Sequence, residues 1–228
     1  MLLGLTKNQS HFNTCQCGYN LKGSMTRYFL SAVTLLVSSF TAHADGLLGM
    51  DHRLNFDNSG VWSRSNQKTL EMGSAAVVIG GALWEGNDTR LGKTFWKSTE
   101  SMLMGDALAQ AGKLAFRRQR PIDGNDAGAW FKSSSNKSFP SGEVTHITAI
   151  VTPFIAEYGQ DHHAVWVLAA LPLYDGMARM KSQAHWQSDV LAGIALGVGT
   201  GLYAGHEKHN WLVQALPGGM SVGYKKSF

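Results

Sequence analysis

The chain has 228 residues, of which 44% are hydrophobic and 16% are charged, and its formal net charge is +4. This composition is that of a globular domain with one core, and it excludes both a disordered chain and a plainly polytopic membrane protein. The positive charge is concentrated at the N-terminus. Residues 1–44 contain Lys7, Lys22 and Arg27 and no acidic residue, so the remainder has 17 basic and 16 acidic residues. The sequence therefore predicts no nucleic-acid partner.

The N-terminal residues are predicted to lie outside the folded domain. From Met25 the sequence MTRYFLSAVTLLVSSFTAHAD has one basic residue, a short apolar run and a small-x-small site before Asp45. This pattern is typical of a secretory signal peptide over residues 25–44, and the apolar run is too short to favour a membrane anchor. Residues 1–24 are interpreted as a mis-assigned start or an extended n-region. We expect a periplasmic or exported domain over residues 45–228, with membrane association left open.

The hydrophobic pattern of this domain predicts an all-α, single-domain bundle of about five to seven helices around a buried active site. A first helix is expected from Gln67, and one or two amphipathic helices over residues 92–118, ended by Pro121. Residues 122–138 have the composition of a loop.

Three further helices are expected, over residues 141–158, 161–173 and 185–205. No apolar run clearly reaches the roughly 18–20 residues that a spanning helix needs. After a Pro-Gly-Gly turn, alternating apolar residues favour a short C-terminal hairpin; they are Met220, Val222 and Tyr224. Both cysteines, Cys15 and Cys17, precede the domain, which therefore has no disulfide available.

Three short segments carry residues suited to binding an anion. Lys113 and Arg120 are seven residues apart, which would place them on one helical face before Pro121, although a basic helix end often only complements the helix dipole. In the second segment, Ser141 and Gly142 open a helix whose free N–H groups can hold an anion. A simple N-cap would also explain Ser141.

The third segment contains Arg179, His185 and Asp189. His185 and Asp189 are four residues apart and would share a helical face, so the carboxylate could hold one ring nitrogen and leave the other as a nucleophile. A structural His–Asp pair is the alternative. Taken together, the three segments describe a pocket for a tetrahedral oxyanion, and no metal-ligand spacing or cofactor motif accompanies them.

The order and spacing of these segments, KLAFRRQRP (113–121), PSGE (140–143) and ARMKSQAHWQSD (178–189), resemble the type 2 phosphatidic acid phosphatase superfamily. That superfamily includes bacterial class A acid phosphatases and vanadium haloperoxidases. The resemblance spans about residues 65–205. It implies that His185 attacks phosphorus and forms a phosphohistidine, and that Asp189 orients His185. It also implies phosphate binding by a further set of residues, namely Lys113, Arg120, Ser141, Gly142 and Arg179.

Two positions depart from the family pattern. Ala178 stands where the family usually has Ser, and Glu143 stands where it has a His that protonates the leaving oxygen. Glu143 could serve as the acid if burial raised its pKa, or it could be ionised and paired with a cation such as Arg179. His146, one helical turn later, is an alternative acid. The third alternative is an inactive site that only binds phosphate.

The resemblance implies a metal-independent phosphomonoesterase acting on a lipid phosphate or a small phosphate ester, without a cofactor. Its rivals are a phosphate- or lipid-headgroup-binding pseudoenzyme, a vanadate-dependent haloperoxidase, and an envelope protein whose helices only pack. Peripheral membrane contact and the oligomeric state remain open.

Overall fold

The computed structural model describes residues 49–206, 211–216 and 219–224, which form five α-helices, three short 3-10 helices and one hairpin. The all-α prediction is confirmed. The α-helices are α1 (Arg64–Glu85), α2 (Arg90–Phe116), α3 (Gly142–Tyr158), α4 (Ala170–Lys181) and α5 (Gln187–His206). The 3-10 helices span Gly60–Trp62, Pro121–Asp123 and His163–Ala169.

The hairpin consists of β1 (Trp211–Leu216) and β2 (Gly219–Tyr224), which pair antiparallel with Trp211 opposite Tyr224. The predicted C-terminal hairpin is thus confirmed. Of the helices that the structure describes, none has both the length and the apolar character needed to cross a membrane. The signal peptide and residues 1–24 lie outside the described residues and stay predictions.

Helix α3 lies at the centre of the bundle, and every residue from Val144 to Pro153 is buried. Its apolar residues Ile150 and Val151 form a core cluster with Val78 of α1 and Met102 of α2. The buried hydroxyls of α3 are satisfied within the helix, because each donates to the carbonyl four residues earlier. These bonds are 2.7–2.8 Å long and come from Thr145, Thr148 and Thr152.

Helix α5 packs closely on α3 through glycines spaced four residues apart. A Cβ at Gly193 would lie 2.7 Å from the Ser141 carbonyl oxygen, and one at Gly197 would lie 2.5 Å from the Thr148 Cβ. Only glycine therefore permits this approach. It brings the start of α5 to the start of α3, where the Ser141 N–H donates to the Asp189 carbonyl at 3.0 Å.

The end of α2 differs from the prediction. The helix ends at Phe116, and Arg117 takes a left-handed conformation with φ 44° as its C-cap. Lys113 is therefore helical, whereas Arg120 lies in the loop before Pro121, and the two do not share a helical face. The chain turns out of the helix before Pro121 could stop it.

Two other predicted boundaries were wrong. Residues 161–173 do not form one helix. A 3-10 helix ends at Ala169, and α4 then continues to Lys181, so that Arg179 lies in its last turn. Pro172 lies in the first turn of α4, where a missing N–H breaks no helical hydrogen bond. In the last segment, α5 begins at Gln187, so His185 precedes the helix instead of belonging to it.

Candidate active site

A cavity of about 340 Å³ lies where the ends of α1, α3 and α4 meet the loop after α2. Three residues predicted from the sequence line it: Arg120, Glu143 and Arg179. Arg64, at the start of α1, joins them although sequence analysis did not identify it. The remaining lining residues are Phe56, Asn58, Ile122, Ser182 and Ala184.

Lys113 and Gly142, the first residue of α3, add to the positive charge near the cavity, although neither of them lines it. A Cβ at Gly142 would lie 2.5 Å from the Lys113 Nζ, so glycine lets the ammonium group approach the helix N-terminus. Burial, followed by the charges of Arg120 and Arg179, lowers the pKa of Lys113. Cations gathered at the positive end of a helix repel one another unless an anion lies between them.

Ser141 occupies the N-cap position of α3 as predicted, but its side chain makes no capping hydrogen bond. Its hydroxyl is buried and has no hydrogen-bond partner in the part of the chain that the structure describes. A buried hydroxyl without a partner is costly. Ser141 therefore has a hydroxyl donor that no group among the described residues accepts.

His185 lies in the turn between α4 and α5, next to the cavity-lining residue Ala184, and is 3% exposed. Its Nδ1 lies 2.7 Å from the carbonyl oxygen of Ser138. Because a carbonyl can only accept, Nδ1 must carry the proton, and the neutral ring then has its lone pair on Nε2. Burial lowers the pKa of His185 to about 4 against the opposing effect of Asp189, and the charge of Arg179 adds to the lowering.

Asp189 is close to His185 but is held mainly by other groups. Its Oδ2 lies 3.8 Å from His185 Nδ1, beyond hydrogen-bond distance. The same oxygen accepts from the Ser138 hydroxyl at 2.5 Å and from the Trp186 N–H at 2.9 Å. The second contact makes Asp189 the acidic residue of a capping arrangement at the third position of α5. Asp189 is therefore linked to the His185 ring through Ser138, whose hydroxyl donates to Asp189 and whose carbonyl accepts from the ring; the sequence analysis did not identify Ser138.

A buried arginine anchors this arrangement. Arg118 is fully buried and donates to Asp189 and to Asp51, with both N–O distances 2.6 Å. Burial would raise the pKa of Asp189, but its contacts with His185, Arg118 and Ser138 outweigh that effect and hold the pKa below its ordinary value. The carboxylate beside the nucleophile candidate is thus ionised.

Glu143 is an ion-paired carboxylate. Arg64 donates to both of its carboxylate oxygens, and Arg179 Nη1 lies 3.4 Å from Oε2. Burial acts to raise the pKa of Glu143, but the hydrogen bonds from Arg64 and the charge of Arg179 outweigh it and lower the pKa. The raised pKa that a general acid at this position would require is absent. Glu143 is thus paired with cations, as the second alternative from the sequence proposed, but its main partner is Arg64 and not Arg179.

His146, the alternative acid, is directed elsewhere. Its Nδ1 lies 2.9 Å from Asp106 of α2, and it does not line the cavity. Asp175, one turn before Arg179, is another buried acid that sequence analysis missed. Neither of its carboxyl oxygens has a hydrogen-bond partner among the described residues, and burial together with the charge of Glu143 raises its pKa to about 7.

Comparison with known proteins identifies the family of the chain. The profile of the PAP2 superfamily matches residues 94–211, which is more than half of the chain. The chain belongs to the PAP2 superfamily. It is also 31% identical over 127 residues to the lipid A 1-phosphatase of Porphyromonas gingivalis, covering 54% of this chain and 26% of that protein. The chain thus spans about a quarter of that relative's length. No solved structure matches it.

Arg64 and Asp51 precede the region that the superfamily profile matches, and Arg118 lies within it. Arg118 sits inside the KLAFRRQRP segment, where three neighbouring arginines look alike in sequence. The signal that could have distinguished it was the need of a buried Asp189 for a cation. Nothing local in the sequence connects Arg64 to Glu143.

Proposed function

We propose that this chain is a phosphatase that hydrolyses lipid phosphates through a phosphohistidine at His185. The observation that carries the proposal is a histidine whose Nδ1 donates to a carbonyl, leaving Nε2 unprotonated, and which directly follows Ala184 in the lining of a cavity with three arginines. Two of those arginines, Arg179 and Arg120, act electrostatically on its ring. An enzyme that transfers a phosphoryl group acts mainly by positioning and by stabilising charge on the phosphoryl oxygens. Both requirements can be met by these side chains.

The proposed first step forms a bond between His185 Nε2 and phosphorus while the bond from phosphorus to the leaving oxygen breaks. The leaving group takes that electron pair. Arg120 and Arg179, with Lys113 and the N–H groups at Gly142, would neutralise the phosphoryl oxygens. Ser141 would donate its unused hydroxyl.

In the proposed second step, water attacks the phosphohistidine, and the phosphorus–nitrogen electron pair returns to Nε2. The proton of the attacking water passes to a base. Glu143 is ionised and lines the cavity, so it is suited to that role. Asp189 and Ser138 act as positioning residues that keep the ring in one tautomer.

The rim of the cavity supports a substrate with an apolar part. Phe56 and Ile122 both line the cavity and are 57% and 52% exposed. An apolar group attached to the phosphate could contact these side chains while the phosphate lies among the arginines. The similarity to a lipid A 1-phosphatase supports the same class of substrate.

The test compares wild type, His185→Ala and His206→Ala for phosphate release from 4-nitrophenyl phosphate and from phosphatidic acid in detergent micelles. His206 is a suitable control because it is exposed and its Nδ1 lies 2.6 Å from the Leu202 carbonyl oxygen of the same helix, α5. We expect His185→Ala to lose turnover on both substrates and His206→Ala to match wild type. Labelled substrate followed by an alkaline quench should leave phosphate on wild type and on His206→Ala, but not on His185→Ala. Turnover by His185→Ala at the wild-type rate would contradict the proposal.

A phosphate-binding protein without turnover is the second candidate, since Glu143 occupies arginine donors that an active site could use. It predicts that wild type releases no phosphate from either substrate and yet binds inorganic phosphate, as measured by calorimetry. Loss of that binding in Arg179→Met would then locate the bound phosphate in the same cavity.

A further inference from the structure

The residues that line the cavity contain no group suited to donate a proton at neutral pH. Arg64, Arg120 and Arg179 are guanidinium groups, which do not lose a proton in proteins. Among the described lining residues, the remaining polar side chains are those of Asn58, Ser182 and Glu143. An amide and a hydroxyl are too weakly acidic for this role, so any proton donor in the lining would have to be Glu143.

The contacts of Glu143 keep it from being that donor. Its two oxygens accept from the two terminal nitrogens of Arg64, a fork-to-fork geometry that matches an ionised carboxylate. Arg179 contributes a second positive charge at 3.4 Å. Glu143 also lies in the first turn of α3, where the helix N-terminus favours a negative charge. Its side chain is only 14% exposed, so solvent screens these interactions weakly.

Other titratable groups surround this pair without lining the cavity. Lys113, Glu71 and Asp175 interact electrostatically with Glu143, and His146 is held by Asp106. Asp175 and His146 are buried, so reaching a leaving group in the cavity would require them to move. Lys113 lies against Gly142, where it faces the phosphoryl oxygens instead of the leaving group in the proposed mechanism.

We propose that this site cleaves phosphate without general-acid catalysis and therefore selects substrates by the basicity of their leaving group. The inference rests on the proposed phosphatase function. When the bond to phosphorus breaks, the leaving oxygen takes the electron pair and must depart as an anion, to be protonated afterwards by solvent. The ionised Glu143 adds repulsion if that charge develops nearby.

The chemical class follows from this requirement. Phosphoanhydrides release a phosphate, and aryl phosphates release a phenolate. Both leaving groups are weakly basic anions. Alkyl phosphate monoesters must release a strongly basic alkoxide. A general acid typically accelerates such steps by about 10²–10⁴-fold. The site is thus suited to anhydrides and aryl esters. Alkyl monoesters, phosphatidic acid among them, should be hydrolysed more slowly, so among lipid phosphates the preferred class is the lipid diphosphates, whose leaving group is a phosphate.

The experiment uses three phosphate monoesters of similar size: 4-nitrophenyl, phenyl and benzyl phosphate. The constant kcat/KM reports the steps up to the departure of the leaving group, even where hydrolysis of the phosphohistidine limits kcat. For wild type at pH 7, we expect kcat/KM to fall along this series, with benzyl phosphate about 10²–10⁴-fold below 4-nitrophenyl phosphate. Inorganic pyrophosphate tests the anhydride class directly and should be hydrolysed in preference to benzyl phosphate.

Variants of Glu143 test whether the fall in kcat/KM along the series arises from the lack of a proton donor at this position. If Glu143 gives no proton, Glu143→Gln changes kcat/KM by the same factor for 4-nitrophenyl and benzyl phosphate. Glu143→His introduces a group able to donate a proton. It should raise kcat/KM for benzyl phosphate relative to kcat/KM for 4-nitrophenyl phosphate. Glu157→Gln is the matched control, because Glu157 lies on the same helix and is also paired with an arginine, Arg90. It should behave as wild type on every substrate.

The outcomes separate the two proposals. A wild type that hydrolyses benzyl phosphate as fast as 4-nitrophenyl phosphate overturns the inference and leaves the phosphatase proposal intact. A selective loss of benzyl phosphate hydrolysis in Glu143→Gln also overturns it, because Glu143 would then be the acid. No turnover of any substrate, pyrophosphate included, overturns the proposed function and the inference with it. The wild-type series suffices should a Glu143 variant fail to fold.

Discussion

Replacing Arg118 by methionine would test the buried charge network beneath the candidate nucleophile. Arg118 is the only arginine that the structure shows in contact with both Asp51 and Asp189, and all three side chains are completely buried. Its guanidinium group also donates to the Ala127 carbonyl at 2.8 Å and lies over the Trp130 ring at 4.4 Å. Methionine keeps much of the apolar volume but removes every one of these donors.

The expected loss is large because two carboxylates would remain buried without their cation. Removing one partner of a buried ion pair typically costs about 3–5 kcal/mol of the free energy of unfolding. For a domain of this size, that corresponds to a fall in Tm of about 6–20 °C. Asp189 would also lose its alignment near His185, so the proposed phosphatase activity should fall even at temperatures where the variant is folded.

Arg90→Met provides a matched comparison. Arg90 also bridges two carboxylates, Glu157 and Asp161, at 2.7 Å each, but its side chain is 51% exposed. Water replaces lost partners at such a site, so we expect a much smaller change in stability. Urea unfolding followed by circular dichroism would measure both variants against wild type. If Arg118→Met were no more destabilising than Arg90→Met, the reasoning from burial would be refuted.

The further predictions concern the nucleophile and the helix packing. Burial lowers the pKa of His185 to about 4 from 6.5. The acid limb of the pH profile of kcat/KM, corrected for substrate ionisation, should therefore have an apparent pKa near 4. An acid limb with an apparent pKa near 6.5 would contradict the neutral buried ring. In the unfolded state His185 binds a proton between pH 4 and 6.5 that the folded state does not, so its contribution to stability should decline as pH is lowered through that window, as acid titrations of urea unfolding can show. Gly197→Ala should destabilise the fold by about 1–3 kcal/mol because the new Cβ would lie 2.5 Å from the Thr148 Cβ. Gly205→Ala on the same helix meets open space and should instead stabilise the protein by about 0.5–1 kcal/mol in the same assay.

Local patterns in the sequence were sufficient for the helices and for much of the anion site. The apolar stretches predicted the bundle, and Ser141 marked the start of α3, because helix periodicity and N-terminal signals depend on residues close together in the chain. The motif spacing identified Arg120 and Arg179, which the fold brings to one cavity. The roles assigned to His185, Asp189 and the phosphate-binding residues stay predictions.

Boundaries were less predictable where tertiary contacts decide them. Arg117 ends α2 in a left-handed conformation, and the chain then turns so that Arg118 can reach Asp51 and Asp189. His185 was expected in a helix with Asp189, but the carboxylate caps the start of α5 and leaves His185 in the preceding turn. Each outcome depends on partners that are distant in sequence.

The sequence by itself determined an all-α chain carrying histidine, arginines and a helix N-terminus in the order of the PAP2 superfamily. Only the tertiary structure decided the ionisation of Glu143, since its partner Arg64 is 79 residues away. It also decided the tautomer of His185, through a backbone carbonyl 47 residues earlier that every residue type possesses. The physical reason is that charge pairing and hydrogen bonding depend on distance in space, whereas sequence patterns report only distance along the chain.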